Sequence, residues 1–251
     1  MGKRPLALLC AALLLSGCAW FQSNDNRPAP DLARSGMDAY RSGNYKESIE
    51  TFQKLKDWYP FSKYAMLAEL KIADAHYKLG QYDEAISAYE EFESLHPLNE
   101  ATPYTVYKVG LCYFEQVDTP DRDQSTAEKA LETFKRLRKQ YPQSSYSSRA
   151  LENIQKCYRS LAASDFSVGR YYFKTKHYRG ALERFKTVVT QYPDTGIHYQ
   201  ALQYIARCEA KLPPASEADR APASREKVYK EGITDPEQEP LSNDPTAEGT
   251  M

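Results

Sequence analysis

Four histidines, His76, His96, His177 and His198, and five cysteines are the side chains here best suited to metal binding or nucleophilic catalysis. No two histidines have the i, i+4 spacing of a helical zinc site, and no two cysteines stand at zinc-ligand spacing. Asp118, Asp121 and Asp123 cluster as calcium ligands can. The turn glycine and the closing glutamate of a known calcium loop are missing, so helix capping and solvation are the expected roles. There is no phosphate-cradling glycine loop and no Gly-x-Ser-x-Gly elbow. These patterns point to no metal, no cofactor and no catalytic residue. The one thiol in a chemically suggestive setting is Cys18. It follows an uncharged run from Leu6 to Leu15 and the small pair Ser16-Gly17.

Ten apolar residues are too few to span a bilayer but suit the core of a signal peptide, with Lys3 and Arg4 as its positive flank. Leu15-Ser16-Gly17-Cys18 resembles the lipobox of bacterial lipoproteins. That resemblance implies that residues 1–17 are removed and that Cys18 is lipidated. Acyl chains on Cys18 would anchor the protein firmly, because two chains already suffice. Ala19 stands where an aspartate would resemble an inner-membrane retention signal, so the expected destination is the outer membrane, on its periplasmic face. Residues 18–31 read as a flexible tether, with Pro28 and Pro30 opposing helix.

Loss of Lys3 and Arg4 leaves 31 of the 33 basic residues against 34 acidic ones, a net charge of −3. A nucleic-acid partner would call for a basic excess, so none is expected. From Pro213 onward, Pro, Ser, Glu and Asp dominate, and residues 213–251 read as a disordered tail. Removing Cys10 with the signal and committing Cys18 to lipid leaves Cys112, Cys157 and Cys208. Cys112 and Cys208 each fall two residues after the small residue of their repeat, which favours small buried side chains over a disulfide.

A repeat supplies the elements. Tyr45, Tyr82 and Tyr178 each precede a proline by fifteen residues, at Pro60, Pro97 and Pro193. Between them the same positions recur: Ser48, Ala85 and Ala181; Ile49, Ile86 and Leu182; Phe52, Tyr89 and Phe185; Leu55, Phe92 and Val188. A fourth copy carries Ala127, Ala130, Leu131, Phe134 and Leu137 before Pro142. These offsets describe one face of an amphipathic helix that a proline ends. A second helix precedes each copy, marked by a small residue at Gly36, Ala73, Gly110 or Gly169, with Gly43 and Gly80 in the turn.

Small residue, aromatic, turn glycine, tyrosine, alanine and proline together resemble the tetratricopeptide repeat. The fold class expected is all-α, a tetratricopeptide-repeat superhelix of about five helical hairpins over residues 32–212. Each hairpin buries its apolar face only against its neighbours. The step from Pro60 to Pro97 is 37 residues, against about 34 in the usual repeat. The surplus follows each proline, where Ser62, Ser144 and Thr195 are candidate N-caps. Val117 to Gln124 reads as an inserted loop, with Asp123 capping the next helix. Tyr146 to Thr175 reads as one long or kinked helix. A fifth copy starts at Ile197 and supplies a single capping helix before Pro213.

Several stretches narrow the resemblance further. They are Gly43-Asn44-Tyr45, Tyr59-Pro60-Phe61, Asp121-Arg122-Asp123, Tyr141-Pro142 with Ser145-Tyr146, Ser167-Val168 with Tyr171-Tyr172, and Tyr192-Pro193-Asp194-Thr195. With the lipobox and the repeats, they resemble the BamD family, lipoproteins of the machinery that folds β-barrels into the outer membrane. The resemblance implies binding without catalysis. The expected partners are a periplasmic POTRA domain of the barrel protein BamA at the C-terminal repeats and unfolded β-barrel substrates at the N-terminal ones. Other assembly lipoproteins of the complex are further partners. It places Arg184 at the BamA contact and Tyr59 near the substrate groove, with Tyr40 and Tyr64 as aromatics that could line it. Two alternatives stay open: a tetratricopeptide lipoprotein assisting pilus secretin or other envelope-complex assembly, and an enzyme acting on peptidoglycan.

Overall fold

The computed structural model describes residues 27–192 and 195–212. Cys18 and residues 213–251 lie outside them, as do Pro193 and Asp194. The described residues hold nine helices and no strand: α1 (Ala29–Arg41), α2 (Tyr45–Trp58), α3 (Ala65–Lys78), α4 (Tyr82–Leu95), α5 (Thr102–Glu115), α6 (Ser125–Gln140), α7 (Ser145–Lys174), α8 (Tyr178–Gln191) and α9 (His198–Glu209). They form four hairpins and a single closing helix.

The repeat positions do what their types require. Phe52, Tyr89, Phe134 and Phe185 are fully buried, each facing the small residue of its partner helix. A Cβ on Gly36 would come within 2.9 Å of the Phe52 ring, one on Gly110 within 2.6 Å of Phe134, and one on Gly169 within 2.8 Å of Phe185. The ring of the second helix therefore occupies the space that a side chain on the first would need. Ser48, at the same position as the alanines of other copies, is buried, and its hydroxyl donates to the Gly36 carbonyl at 3.0 Å. The cores run from one hairpin into the next. Leu32, Phe52 and Leu55 of the first pack with Ala68 and Ile72 of the second. Ala73, Ile86 and Tyr89 of the second pack with Val109 and Cys112 of the third.

Turn chemistry sets the hairpin ends. Gly43 and Gly80 adopt φ of +82° and +71°, and the following amides, Asn44 and Gln81, donate back to Ala39 and His76 at 2.9 and 3.0 Å. This is the left-handed helix end expected of glycine. Lys176 takes the same role in the fourth hairpin at φ 64°, and His177 N–H donates to Tyr172 at 2.8 Å.

Several boundaries differ from the sequence expectation. α1 starts at Ala29, inside the span read as tether, because Pro30 sits in the first turn, where no N–H is needed. Of the three candidate caps only Ser144 caps, accepting from Tyr146 N–H at 3.2 Å. Ser62 accepts from Tyr64 N–H inside a turn, and α3 begins three residues after it, at Ala65. The Thr195 hydroxyl donates back to the Tyr192 carbonyl at 3.2 Å, and α9 begins after Ile197. Asp123 lies one residue before the cap position, Gln124, and receives the Ser125 N–H at 3.3 Å. The long helix is a single element of 30 residues.

A tyrosine-lined groove and a C-terminal Arg184–Asp165 pair

α1 touches α3 and α5 touches α7, so the first helices of successive hairpins line the inner surface. Here Leu67, Leu70, Lys71 and Asp74 of α3, Glu100 and Ala101 before α5, Tyr104 of α5 and Tyr146 of α7 line an open cavity of about 400 Å³. Asp74 is its organising group. Its carboxylate is buried, at 4 % exposure. One oxygen accepts from the Tyr89 hydroxyl at 2.6 Å and from the Tyr104 hydroxyl. The other lies 2.7 Å from Lys71 Nζ. A buried carboxylate needs such a set, since an unpaired charge there costs several kcal/mol.

Lys71 also lies over the Tyr40 ring, 4.8 Å from its centre. Tyr146 stacks against Tyr104 and Tyr107 at 5.5 Å each. Burial and then the Asp74 charge push the Tyr40 phenol up to about 12. The same two causes, in that order, raise Tyr89 and Tyr104. All three therefore remain hydroxyl donors at physiological pH. The surface combines ring faces, aliphatic walls and one ammonium whose counter-charge is built in. Such a surface can bind an extended peptide with aromatic side chains; it holds no nucleophile–base pair.

Tyr40, expected from the sequence as a possible groove aromatic, does not line the cavity itself and adjoins it through the Lys71 ammonium over its ring. Tyr59 and Tyr64 do not line the cavity and instead pack against the first core. The Tyr59 hydroxyl donates to the Arg27 carbonyl at 3.1 Å and so fixes the approach to α1. Lys71, Asp74 and Tyr104 were missed by sequence reasoning. The available signal was an aspartate directly after the small residue Ala73, on a helix face otherwise buried.

At the other end, Arg184 on α8 projects outward, its side chain 49 % exposed. Its guanidinium lies 2.7 Å from Asp165 of α7. Glu183, its neighbour in sequence, faces Lys186 instead, at 3.4 Å. Burial, then the Asp165 charge and a hydrogen bond to it, push Tyr192 up to about 12. Asp165 is thus shared by a cation and a phenol. Tyr171 on α7 and Tyr199 and Leu202 on α9 are also exposed in the C-terminal helices.

Among the described residues no group of three His, Cys, Asp or Glu side chains is placed to hold a metal. Asp118 accepts from Thr119 N–H and pairs with Arg122 at 3.6 Å. Hydrogen bonds from Thr119 and Ser125 hold Asp121 and Asp123 below the usual carboxylate range. Cys112, Cys157 and Cys208 are buried free thiols.

Fold and groove together define an all-α helical-repeat protein built on tetratricopeptide hairpins. The chain belongs to the outer membrane lipoprotein family YfiO, whose profile matches residues 25–224, and its curated relatives carry the name BamD. It is 31 % identical over 207 residues to the outer membrane protein assembly factor BamD of Caulobacter vibrioides, covering 79 % of this chain and 68 % of the relative. It is 28 % identical over 227 residues to BamD of Neisseria gonorrhoeae, covering 84 % and 85 %. Among solved structures, a thermophilic tetratricopeptide protein of Thermus thermophilus superposes with a TM-score of 0.40 at 16 % identity, over 73 % of this chain and 98 % of that one.

Proposed function

We propose that this protein is the lipid-anchored scaffold of a β-barrel assembly complex. In this reading it holds BamA through its C-terminal repeats and receives unfolded outer-membrane proteins on its N-terminal ones. It works by binding and positioning and makes or breaks no bond. The observation that carries the reading is the tyrosine-lined cavity around Asp74, on a chain whose relatives are outer membrane protein assembly factors.

The substrate enters as an extended segment whose aromatic side chains lie against Tyr40, Tyr104 and Tyr146. Repeat superhelices present this kind of inner surface to peptides. Asp74 holds Tyr104 and Lys71 in place, so the groove is formed before the peptide arrives. Preorganisation lowers the ordering cost of binding. Tyr59 serves the groove indirectly by fixing the start of α1. At the other end Arg184, Tyr171 and Tyr199 supply the side-chain types enriched in protein interfaces. Cys18 carries the lipid, and other assembly lipoproteins share the complex.

Photo-crosslinking tests the groove. A benzoylphenylalanine at position 40 or 146 should capture a peptide carrying the C-terminal strand of an outer-membrane barrel. One at position 59 should capture less. Adducts only at sites remote from the cavity would reject this assignment.

A further inference from the structure

The first two hairpins share an exposed feature that the last two lack. Trp58 and Leu95 each stand two residues before the repeat proline, and Phe61 and Leu98 each stand one after it. The corresponding residues of the later copies are Gln140 and Gln143, then Gln191 and Asp194. Repeat packing therefore does not require an apolar side chain at either position. Phe61 and Leu98 are fully exposed, at 101 % and 99 %, and Trp58 and Leu95 are about half exposed. The second turn lies against the start of α3, which follows the first turn: Asn99, next to Leu98, donates to Met66 Sδ at 3.0 Å, and His96 meets Glu69 at 2.7 Å. Met66 is itself exposed. Five large apolar side chains are thus exposed in these two turns and at the start of α3 between them, where a single one would be unremarkable but a group at joined segments suits a contact.

The place of this cluster argues for its occupant. Tyr59, between Trp58 and Phe61, bonds the carbonyl of Arg27, so the chain reaches the folded body beside the cluster. Cys18 stands nine residues before Arg27, a separation that covalent geometry limits to about 30 Å. We propose that this end of the first two hairpins docks on the lipid surface, with Trp58, Phe61 and Leu98 seated at the boundary between headgroups and acyl chains. The proposal rests on the lipidation of Cys18. Aromatic and leucine side chains on protruding turns suit that boundary, where an apolar tip sinks and the backbone stays wet. Lys56 pairs with Glu91 at 2.9 Å and Glu69 with His96, and the remaining neighbours Asp57, Lys63 and Glu100 are of mixed sign. The apolar side chains therefore carry the contact, which is only weakly sensitive to salt. It would hold the array at a fixed orientation to the membrane and leave the tyrosine-lined groove open to the periplasm.

The test uses the full lipidated chain carrying Trp20→Phe, which leaves Trp58 as the one tryptophan of the two in the sequence. It is reconstituted into phospholipid vesicles with either ordinary or brominated acyl chains. Trp58 emission should fall to about half in the brominated vesicles, as expected for a side chain within about 10 Å of the acyl boundary. The quenching should persist at high salt. Phe61→Ser with Leu98→Ser should abolish it without changing the helical circular dichroism, since both side chains touch solvent only. Equal emission in the two kinds of vesicle overturns the proposal, as does quenching that survives the double substitution. Self-association that depends on Phe61, with Trp58 unquenched, reassigns the cluster to a second copy and overturns it too. The intact mass of the same sample separates the two layers. Acylated protein with unquenched Trp58 rejects docking alone, while protein without acyl groups on Cys18 rejects the anchor and the docking argument together.

Discussion

Arg184 on α8 reaches across to Asp165 on α7, with 2.7 Å between guanidinium and carboxylate. Asp165 is the more enclosed of the two, its side chain 12 % exposed against 49 % for Arg184. A cation fixed at its root by one carboxylate, with half its surface in solvent, is prepared to meet a second acceptor. Its fork can serve both.

Arg184→Ala should therefore separate binding from folding. An exposed pair contributes about 1 kcal/mol or less to stability, and Tyr192 remains to bond Asp165. Loss of a partly desolvated interfacial contact costs about 2–5 kcal/mol. In a titration with a BamA POTRA domain the affinity should fall at least about tenfold, with a melting curve displaced by only a few degrees. Equal affinity would leave Arg184 as a stabilising contact within the chain.

Gly110→Ala should destabilise, although alanine is favoured over glycine in a helix by about 1 kcal/mol. The new Cβ would lie 2.6 Å from the Phe134 ring, which is fully buried. Overpacking of this kind costs about 1–3 kcal/mol. The net loss should be up to about 2 kcal/mol by urea unfolding, and the variant with Phe134→Leu should recover part of it.

How far the sequence could be read follows from this same pair. Gly110 and Phe134 are recognisable because close helix approach restricts residue types to very small against large, and the restriction recurs at a fixed step. The long α7 was legible for the same reason, as extra residues between two registered copies. Helix starts were less so. Ser62, Ser144 and Thr195 follow equivalent prolines, yet only Ser144 caps, because the helices after Ser62 and Thr195 start two residues later relative to the proline. The Asp74 network was hidden because its partners Lys71, Tyr89 and Tyr104 come from three helices. Only stacked hairpins bring Tyr104 to Asp74 and Tyr89, and the one local signal was an aspartate after Ala73 on a buried helix face. Lys176 occupies a left-handed turn that glycine marks elsewhere.

Lys108 offers a pH test. Its ammonium lies over the Tyr77 ring, 3.1 Å from the centre, and burial lowers it from 10.5 to about 8. Between pH 8 and about 10 the unfolded chain then binds the extra proton, so stability rises with pH. Below pH 8 both states hold it and the burial penalty is fully present. Lys108→Met should be more stable than the parent at pH 7, and the difference should shrink as the pH approaches 10. A difference that is constant over this range would show that Lys108 is solvated.

The buried thiols should be inert while the protein is folded. Burial pushes Cys112 and Cys157 up to about 12, so at pH 8 their thiolate fraction falls on the order of a thousandfold below that of an ordinary cysteine. Alkylation followed by mass should leave both unmodified in buffer and label them promptly in denaturant. Labelling in the native state would show that these helices open.

The Asp74 network should matter to both stability and binding. Asp74→Ala strands the buried Tyr89 hydroxyl and frees Tyr104 and Lys71. Truncating one member of such a set costs about 3–5 kcal/mol. Tyr104→Phe removes a single hydroxyl and should cost only about 1 kcal/mol. It should nevertheless weaken binding of a barrel-derived peptide, because the ring loses its fixed orientation. Fluorescence anisotropy with the labelled peptide reads that difference, and unaltered binding would remove Tyr104 from the groove's function.

The central claim is that this family member acts as a scaffold that joins BamA to incoming barrels. Co-purification from detergent-solubilised outer membranes, with an affinity tag at the C-terminus of the full chain, tests it most directly. BamA should be recovered in near-equal amount, and its recovery should fall with Arg184→Ala. Recovery of a pilus secretin with no BamA would contradict the claim and assign the scaffold to another envelope complex.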